Sequence, residues 1–234
     1  MKRLKRTLCV LLIGSLLCHI SAVPIAAIET YGHVYCRSSS HTKKIALTFD
    51  DGPHPRYTKE ILAILAEYDI TATFFIIGIN AEAYPEALQQ IVESGCEIGN
   101  HTYSHKRLRN LSEEEVIKEV VRCEEVLERM TGIRPHLFRP PEGMMHPVLS
   151  SLMNEKEYNV ALWSIDTLDW ALNPSTAIVQ TVLGELRGGD IILMHDYVSG
   201  GNTTCEALRS IIPKILAEGY EFVTISELIQ GDGT

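Results

Sequence analysis

The chain has 234 residues, 45% of them hydrophobic, and carries 21 basic against 30 acidic side chains for a net charge of −9. That length suits one substantial α/β domain and is short for two. An acidic globule has no electrostatic reason to bind nucleic acid, and its six cysteines show no Cys-x-x-Cys spacing, which excludes a zinc knot.

Residues 1–6 are rich in Lys and Arg, residues 8–20 are apolar and residues 21–27 are small, the three-part layout of a secretory signal. The apolar character runs on nearly to Ile28, close to the ~20 residues that a spanning helix needs. Residues 1–27 therefore read as a signal peptide or as a retained N-terminal membrane anchor. Either way the protein is expected to be exported, as an extracellular, cell-wall or anchored protein facing outside. Without this segment 17 basic residues face 30 acidic ones, a net of −13. Cys9 and Cys18 leave with the segment. Cys36, Cys96, Cys123 and Cys205 stay scattered, open to disulfides or to burial as small hydrophobes.

Residues 28–43 read as a lead-in and residues 44–234 as the domain. There, β-rich runs at 45–49, 72–77, 97–98, 136–138, 160–165, 191–194 and 222–225 alternate with stretches of helical period. Ile61, Leu62 and Leu65 mark one helix. Ser112 and Glu115 form a capping box for a second, continued by Val116, Val120, Cys123, Val126, Leu127 and Met130 and stopped by Gly132. Leu208, Ile211, Ile212 and Leu216 mark the last helix, closed by Gly219. About seven β-α units in a single domain, with no Gly-x-Gly-x-x-Gly turn and with polar residues gathered at strand exits, predict an α/β fold: a distorted or incomplete (β/α) barrel.

Asp50 and Asp51 stand together at the first strand's exit, ahead of a Gly52-Pro53 turn. Alone, such a pair reads as a helix-capping turn. His101 and His105 are four apart, the spacing that puts two imidazoles on one side of a helical turn. One strand-end Asp joined to them completes a two-His, one-carboxylate set with open positions for water and substrate, leaving the other Asp as a base. Arg139, Asp166, Asp169, Trp170 and His195 lie at later strand exits. His33, His41, His54, His136 and His146 lack partners at metal spacing.

Five segments in order, Thr48-Phe-Asp-Asp-Gly-Pro53, His101-Thr-Tyr-Ser-His105, Arg139-Pro-Pro141, Asp166-Thr-Leu-Asp-Trp170 and Leu193-Met-His195, resemble the motifs of the polysaccharide deacetylase family, also called the NodB-homology domain or carbohydrate esterase family four. The resemblance spans residues 43–229. It implies a distorted (β/α) barrel that removes acetyl groups from polymers of N-acetylglucosamine with one divalent metal ion, most often Zn²⁺; the donor set also accepts Co²⁺ or Ni²⁺. By position it makes Asp50 the general base, Asp51, His101 and His105 the metal ligands, and His195 the general acid. Arg139 would orient Asp50, Asp169 would tune His195, Leu193 would floor the pocket for the acetyl methyl, and Trp170 would line the groove. Glu142 departs from the aromatic residue common at its position. Pro141 lacks an N–H, so the Glu142 N–H is the expected oxyanion donor, and its side chain alters the sugar-facing wall. The expected partner is an N-acetylated glycan, with peptidoglycan N-acetylglucosamine ahead of chitin oligomers, muramic acid or acetylated xylan. No protein partner is expected, and a non-catalytic glycan-binding envelope protein is the reading from another class.

Overall fold

The short β-rich runs become strands of one parallel sheet, wrapped by the amphipathic stretches between them. The structure, a computed structural model, describes residues 34–39, 42–198 and 203–230. Residues 1–27, read above as a signal peptide or anchor and including Cys9 and Cys18, lie outside the described residues, as do His33 and His41. The elements are β1 (Val34–Tyr35), β2 (Lys44–Gly52), α1 (Tyr57–Glu67), β3 (Thr73–Ile76), α2 (Gly78–Ala83), α3 (Pro85–Glu93), β4 (Glu97–Asn100), α4 (Glu113–Thr131), β5 (Leu137–Phe138), α5 (Leu149–Lys156), β6 (Asn159–Ala161), β7 (Ile165–Asp166), α6 (Ser175–Glu185), β8 (Ile191–His195), α7 (Thr204–Ala217), β9 (Glu221–Phe222) and α8 (Ile225–Gln230).

The strands follow the order β1-β6-β5-β4-β3-β2-β8-β7, and β9 pairs with the start of β2. Each neighbouring pair is parallel. The terminal strands β1 and β7 do not pair with each other, so the sheet curls into an incomplete (β/α) barrel, as the sequence predicts. At the open side the chain after β1 bridges to the start of β8: Ser38 N–H donates to the Gly189 carbonyl at 2.9 Å, and Arg37 pairs with the buried Asp190 at 2.6 Å.

Period 2 sorts the strand side chains between two buried faces. Ile45, Leu47 and Phe49 of β2, with Ile192 and Met194 of β8, pack outward under α1, α6 and α7 in the largest core cluster. Ala46 and Ile191 point inward with Phe75, Leu137 and Ala161, where α8 contributes Ile225 and Leu228 as a plug. Thr48 and Asp50 continue the inward series on β2, and Leu193 and His195 continue it on β8. Because Asp50 sits opposite His195 in the β2·β8 register, both reach the interior at one level.

Four local expectations are corrected. Run 160–165 divides into β6 and β7, separated by Leu162, Trp163 and Ser164, and the Leu162 carbonyl accepts from Arg139 instead of a strand. Run 222–225 stops at Phe222, where Thr224 accepts from Glu227 N–H and Glu227 accepts from Thr224 N–H, a capping pair that opens α8. The helix at 208–216 is therefore not the last. Within the segment read as a lead-in, Val34 and Tyr35 form the edge strand on β6. The Ser112–Glu115 capping box and the left-handed Gly132 stop are present as predicted. All four described cysteines are free thiols, and Cys96 and Cys123 are buried. No helix among the described residues is long and apolar enough to cross a membrane.

Candidate active site

Adjacent residues of a regular strand face opposite ways, yet Asp50 and Asp51 both serve one site. Asp51 has φ 73°, and the β2·β3 register shifts between Phe49 and Gly52, so the bulge swings the second carboxylate round to join the first. Gly52 then has to be glycine, because a Cβ there would stand 2.1 Å from the carboxylate of buried Asp196. Thr58 on α1 donates its hydroxyl to that same carboxylate.

His101 and His105 do not lie on a helix. They sit on an irregular loop after β4, where left-handed Thr102 (φ 67°) and His105 (φ 55°) curl the chain so that both rings converge 4.9 Å apart. Polar side chains hold the curl. Asn100 Oδ1 accepts from Thr102 N–H at 2.9 Å, Thr102 Oγ1 accepts from His105 N–H at 3.1 Å, and buried Glu119 on α4 accepts from the Ser104 N–H and hydroxyl, both at 2.7 Å. The i, i+4 pattern thus brings the histidines together through loop geometry that no helical period describes.

Asp51 Oδ1 lies 3.5 Å from His101 Nε2 and 3.2 Å from His105 Nε2, and the three donor atoms fall within 4.8 Å of one another. His101 Nδ1 is 2.8 Å from the Arg139 carbonyl, which only accepts, so Nδ1 carries a proton, and in the neutral ring the Nε2 lone pair turns toward Asp51. Asp51 Oδ1 is buried without a hydrogen-bond donor. Burial alone would raise the Asp51 pKa, but His101, His105 and His195 bring it down to about 2, so it is an anion. Two imidazole lone pairs and an orphaned carboxylate oxygen fit a divalent metal ion. The two Asp51–imidazole separations, 3.5 and 3.2 Å, match the ~3.3 Å edge of a tetrahedron with ~2.05 Å bonds.

Arg139 reaches the interior by the alternation that buries Leu137 and is itself fully buried. It donates to Asp50 Oδ1 at 2.7 Å, Thr48 Oγ1 at 2.8 Å, and the Ala161 and Leu162 carbonyls at 2.8 and 3.0 Å, while stacking 4.0 Å from the Phe75 ring centre. The guanidinium thereby fixes one Asp50 oxygen. The other, Oδ2, lies 3.7 Å from His101 Nε2.

His195 Nδ1 contacts Asp169 Oδ1 at 2.7 Å. Asp169 is itself held by the His195 and Trp170 N–H groups at 2.8 and 2.9 Å and by the Thr204 hydroxyl at 2.8 Å. Burial disfavours a charged imidazole, yet the hydrogen bond to and charge of Asp169 outweigh it and push the His195 pKa up to about 9. At neutral pH this ring carries a proton to give. Leu193 lies one inward step below His195, 3% exposed. Trp170 is 54% exposed at the rim. Glu142 is left-handed (φ 58°), and its carboxylate pairs with Arg107 at 2.7 Å, so the wall there offers an ion pair.

Every predicted site residue thus belongs to one end of the sheet. Thr204, Thr48, Asn100 and Glu119 were not singled out from sequence. Glu119 leaves a trace, being an acid inside the apolar stripe of α4 beside Val116, Val120 and Cys123. Thr204, at a helix start 35 residues from Asp169, leaves none.

A family model described as polysaccharide deacetylase matches residues 37–161, more than half of the chain. The chain is 36% identical over 212 residues to a peptidoglycan-N-acetylglucosamine deacetylase of Bacillus cereus, covering 90% of this chain and 76% of that protein. It is 40% identical over 186 residues to the peptidoglycan-N-acetylmuramic acid deacetylase PdaC of Bacillus subtilis, covering 80% of this chain and 38% of that protein. The crystal structure of a peptidoglycan N-acetylglucosamine deacetylase in complex with a 4-naphthalen-1-yl-N-oxidanyl-benzamide superposes with a TM-score of 0.84 at 34% identity, covering 89% of this chain and 98% of that one. Half-barrel, site geometry and sequence agree, and the chain belongs to the polysaccharide deacetylase family as a hydrolase of its N-deacetylase type.

Proposed function

We propose that the protein removes the N-acetyl group from N-acetylglucosamine of peptidoglycan, outside the cell, releasing acetate, with one divalent ion held by Asp51, His101 and His105. The observation that carries this reading is the convergence of those three donors with an arginine-fixed carboxylate, Asp50, on one side and a protonated imidazole, His195, on the other. The Bacillus cereus relative, matched along 76% of its length, favours this sugar, and the signal-like layout of residues 1–27 favours the location. Zn²⁺ suits the donor set.

When bound, the ion supplies positive charge that polarises an amide carbonyl and eases loss of a proton from water. Asp50, its Oδ1 occupied by Arg139, uses Oδ2 to take that proton as the water oxygen bonds to the carbonyl carbon. The carbonyl pair moves onto oxygen, where the Glu142 N–H donates to it. His195 then gives its Nε2 proton to the nitrogen as the C–N bond breaks, so the sugar leaves as an amine rather than as an amide anion. Asp50 sheds its proton to solvent and His195 regains one, so one amide and one water have become amine and acetic acid, which ionises to acetate. Leu193 supports the acetyl methyl and Trp170 the sugar face.

Mass spectrometry of muropeptides, digested after incubation with the protein with and without chelator, tests this. Metal-dependent loss of acetyl from N-acetylglucosamine is expected. Loss from muramic acid instead would overturn the sugar assignment, and no loss from any N-acetylated glycan would overturn the function.

A further inference from the structure

Outside the groups used above, an aromatic cluster stands at the same end of the sheet. The His54 ring lies 4.8 Å from that of Tyr197 at an interplanar angle of 6°, 4.8 Å from Tyr57 at 25°, and 6.2 Å from Tyr84. Tyr57 and Tyr197 are 6.3 Å apart and tilted by 31°, so the two rings stack on His54 side by side rather than on its opposite faces. Rings that served only as core would be buried, but Tyr197 and Tyr84 are 42% and 38% exposed.

The cluster is tied to the site by the backbone. Asp50 and His195 pair in adjacent strands, and the chain runs on from them to His54 and Tyr197. Two residues span at most ~7 Å, so the Tyr197 Cα is no farther than that from the His195 Cα. The arrangement is also fixed in advance. His54 Nδ1 accepts from the Arg56 and Tyr57 N–H groups at 3.3 and 3.2 Å, which leaves the ring proton on Nε2. His54 N–H donates to Thr58 Oγ1 at 2.7 Å, and the Thr58 hydroxyl donates to Asp196, so one hydrogen-bonded chain joins the exits of β2 and β8.

We propose that His54, Tyr57, Tyr84 and Tyr197 form a glycan subsite that holds a pyranose ring of the same polymer next to the sugar being deacetylated. A β-linked pyranose presents a flat C–H face that packs on aromatic rings, while its hydroxyls meet phenolic oxygens and the His54 Nε2–H at the edges. Such a platform binds without regard to peptide stems and is pre-organised, so little ordering opposes binding. It lies on the β2·β8 side of His195, while Trp170 follows β7, so a polymer would be gripped on both sides of the reacting sugar. This proposal rests on the reading of the protein as a glycan deacetylase.

The test is calorimetric titration of the full chain in an Asp50→Asn background, which preserves the ligand, with chitopentaose and with N-acetylglucosamine as probes. Tyr197→Ala is expected to weaken chitopentaose about 5- to 30-fold while shifting the monosaccharide less than twofold. Tyr197→Phe, which keeps the ring, is expected to retain most of the affinity. Unchanged chitopentaose affinity in Tyr197→Ala, or equal loss for both probes, would overturn the subsite. Failure of the catalytic reading shows itself separately, as no acetate from the unmutated chain while the affinity difference between the two probes persists.

Discussion

Asp50 is useful only because Arg139 determines which of its oxygens is free. The proton-taking role predicts that Asp50→Asn abolishes acetate release while the protein still binds one metal ion, read by competition with a chromophoric chelator; retained turnover would remove the assignment. Arg139 also neutralises a carboxylate that is only 4% exposed. Arg139→Met leaves that charge buried and unpaired and is expected to cost about 3–5 kcal/mol, seen as a melting temperature lower by about 10 °C. His195 predicts a pH dependence whose sign follows from its partner. Asp169 raises the folded-state pKa of His195 above its ordinary 6.5, to about 9, so the pair's stabilisation is complete below pH 6.5 and is lost as pH rises through about 9. The alkaline limb of kcat follows the same proton. Thr204→Val, which removes one donor from Asp169, is expected to displace that limb and lower kcat with little change in KM, and Thr204→Ser to restore both. A limb that does not move would make Thr204 merely structural.

At the level of elements, the site is a set of strand ends aimed by period 2 and corrected by loops. The alternation explains Asp50, Leu193, Arg139 and His195, and it was legible wherever a strand ran long enough to show it. It fails at Asp51 and at the histidine loop, where positive φ values override the local pattern. Four residues separate His101 from His105, as they would on a helix, but the loop is shaped by Asn100 and by Glu119, which reaches in from α4. Glu119→Ala is therefore expected to weaken metal binding about 10- to 100-fold, as loss of a ligand-positioning group does. Glu119→Gln, which still accepts a hydrogen bond, should lose less. Equal affinities in all three proteins would show that the loop holds its shape alone.

For the molecule as a whole, a buried scaffold stands independently of the ion. The proposed ligands project from a sheet whose two faces are packed by separate apolar clusters, so chelation should stop turnover without unfolding the protein. Metal at 100-fold its dissociation constant is expected to add about 2.7 kcal/mol of stability, and His101→Ala to abolish that gain along with binding. A melting temperature indifferent to metal would contradict a preformed site.

Residue chemistry and period are local, and they identified the candidate metal-binding residue types, the two carboxylates and a β-α repeat, while the base-and-acid division came only from the family resemblance. The tertiary structure decided what depends on distant partners. It placed β8 beside β2 with Asp50 level with His195, left the barrel open between β1 and β7, and brought Thr204 to Asp169 and Glu119 to Ser104. Those contacts arise from the requirement that the sheet bury its two apolar faces and that most interior polar groups find partners. That condition applies to the packed molecule, and no stretch of sequence can express it by itself.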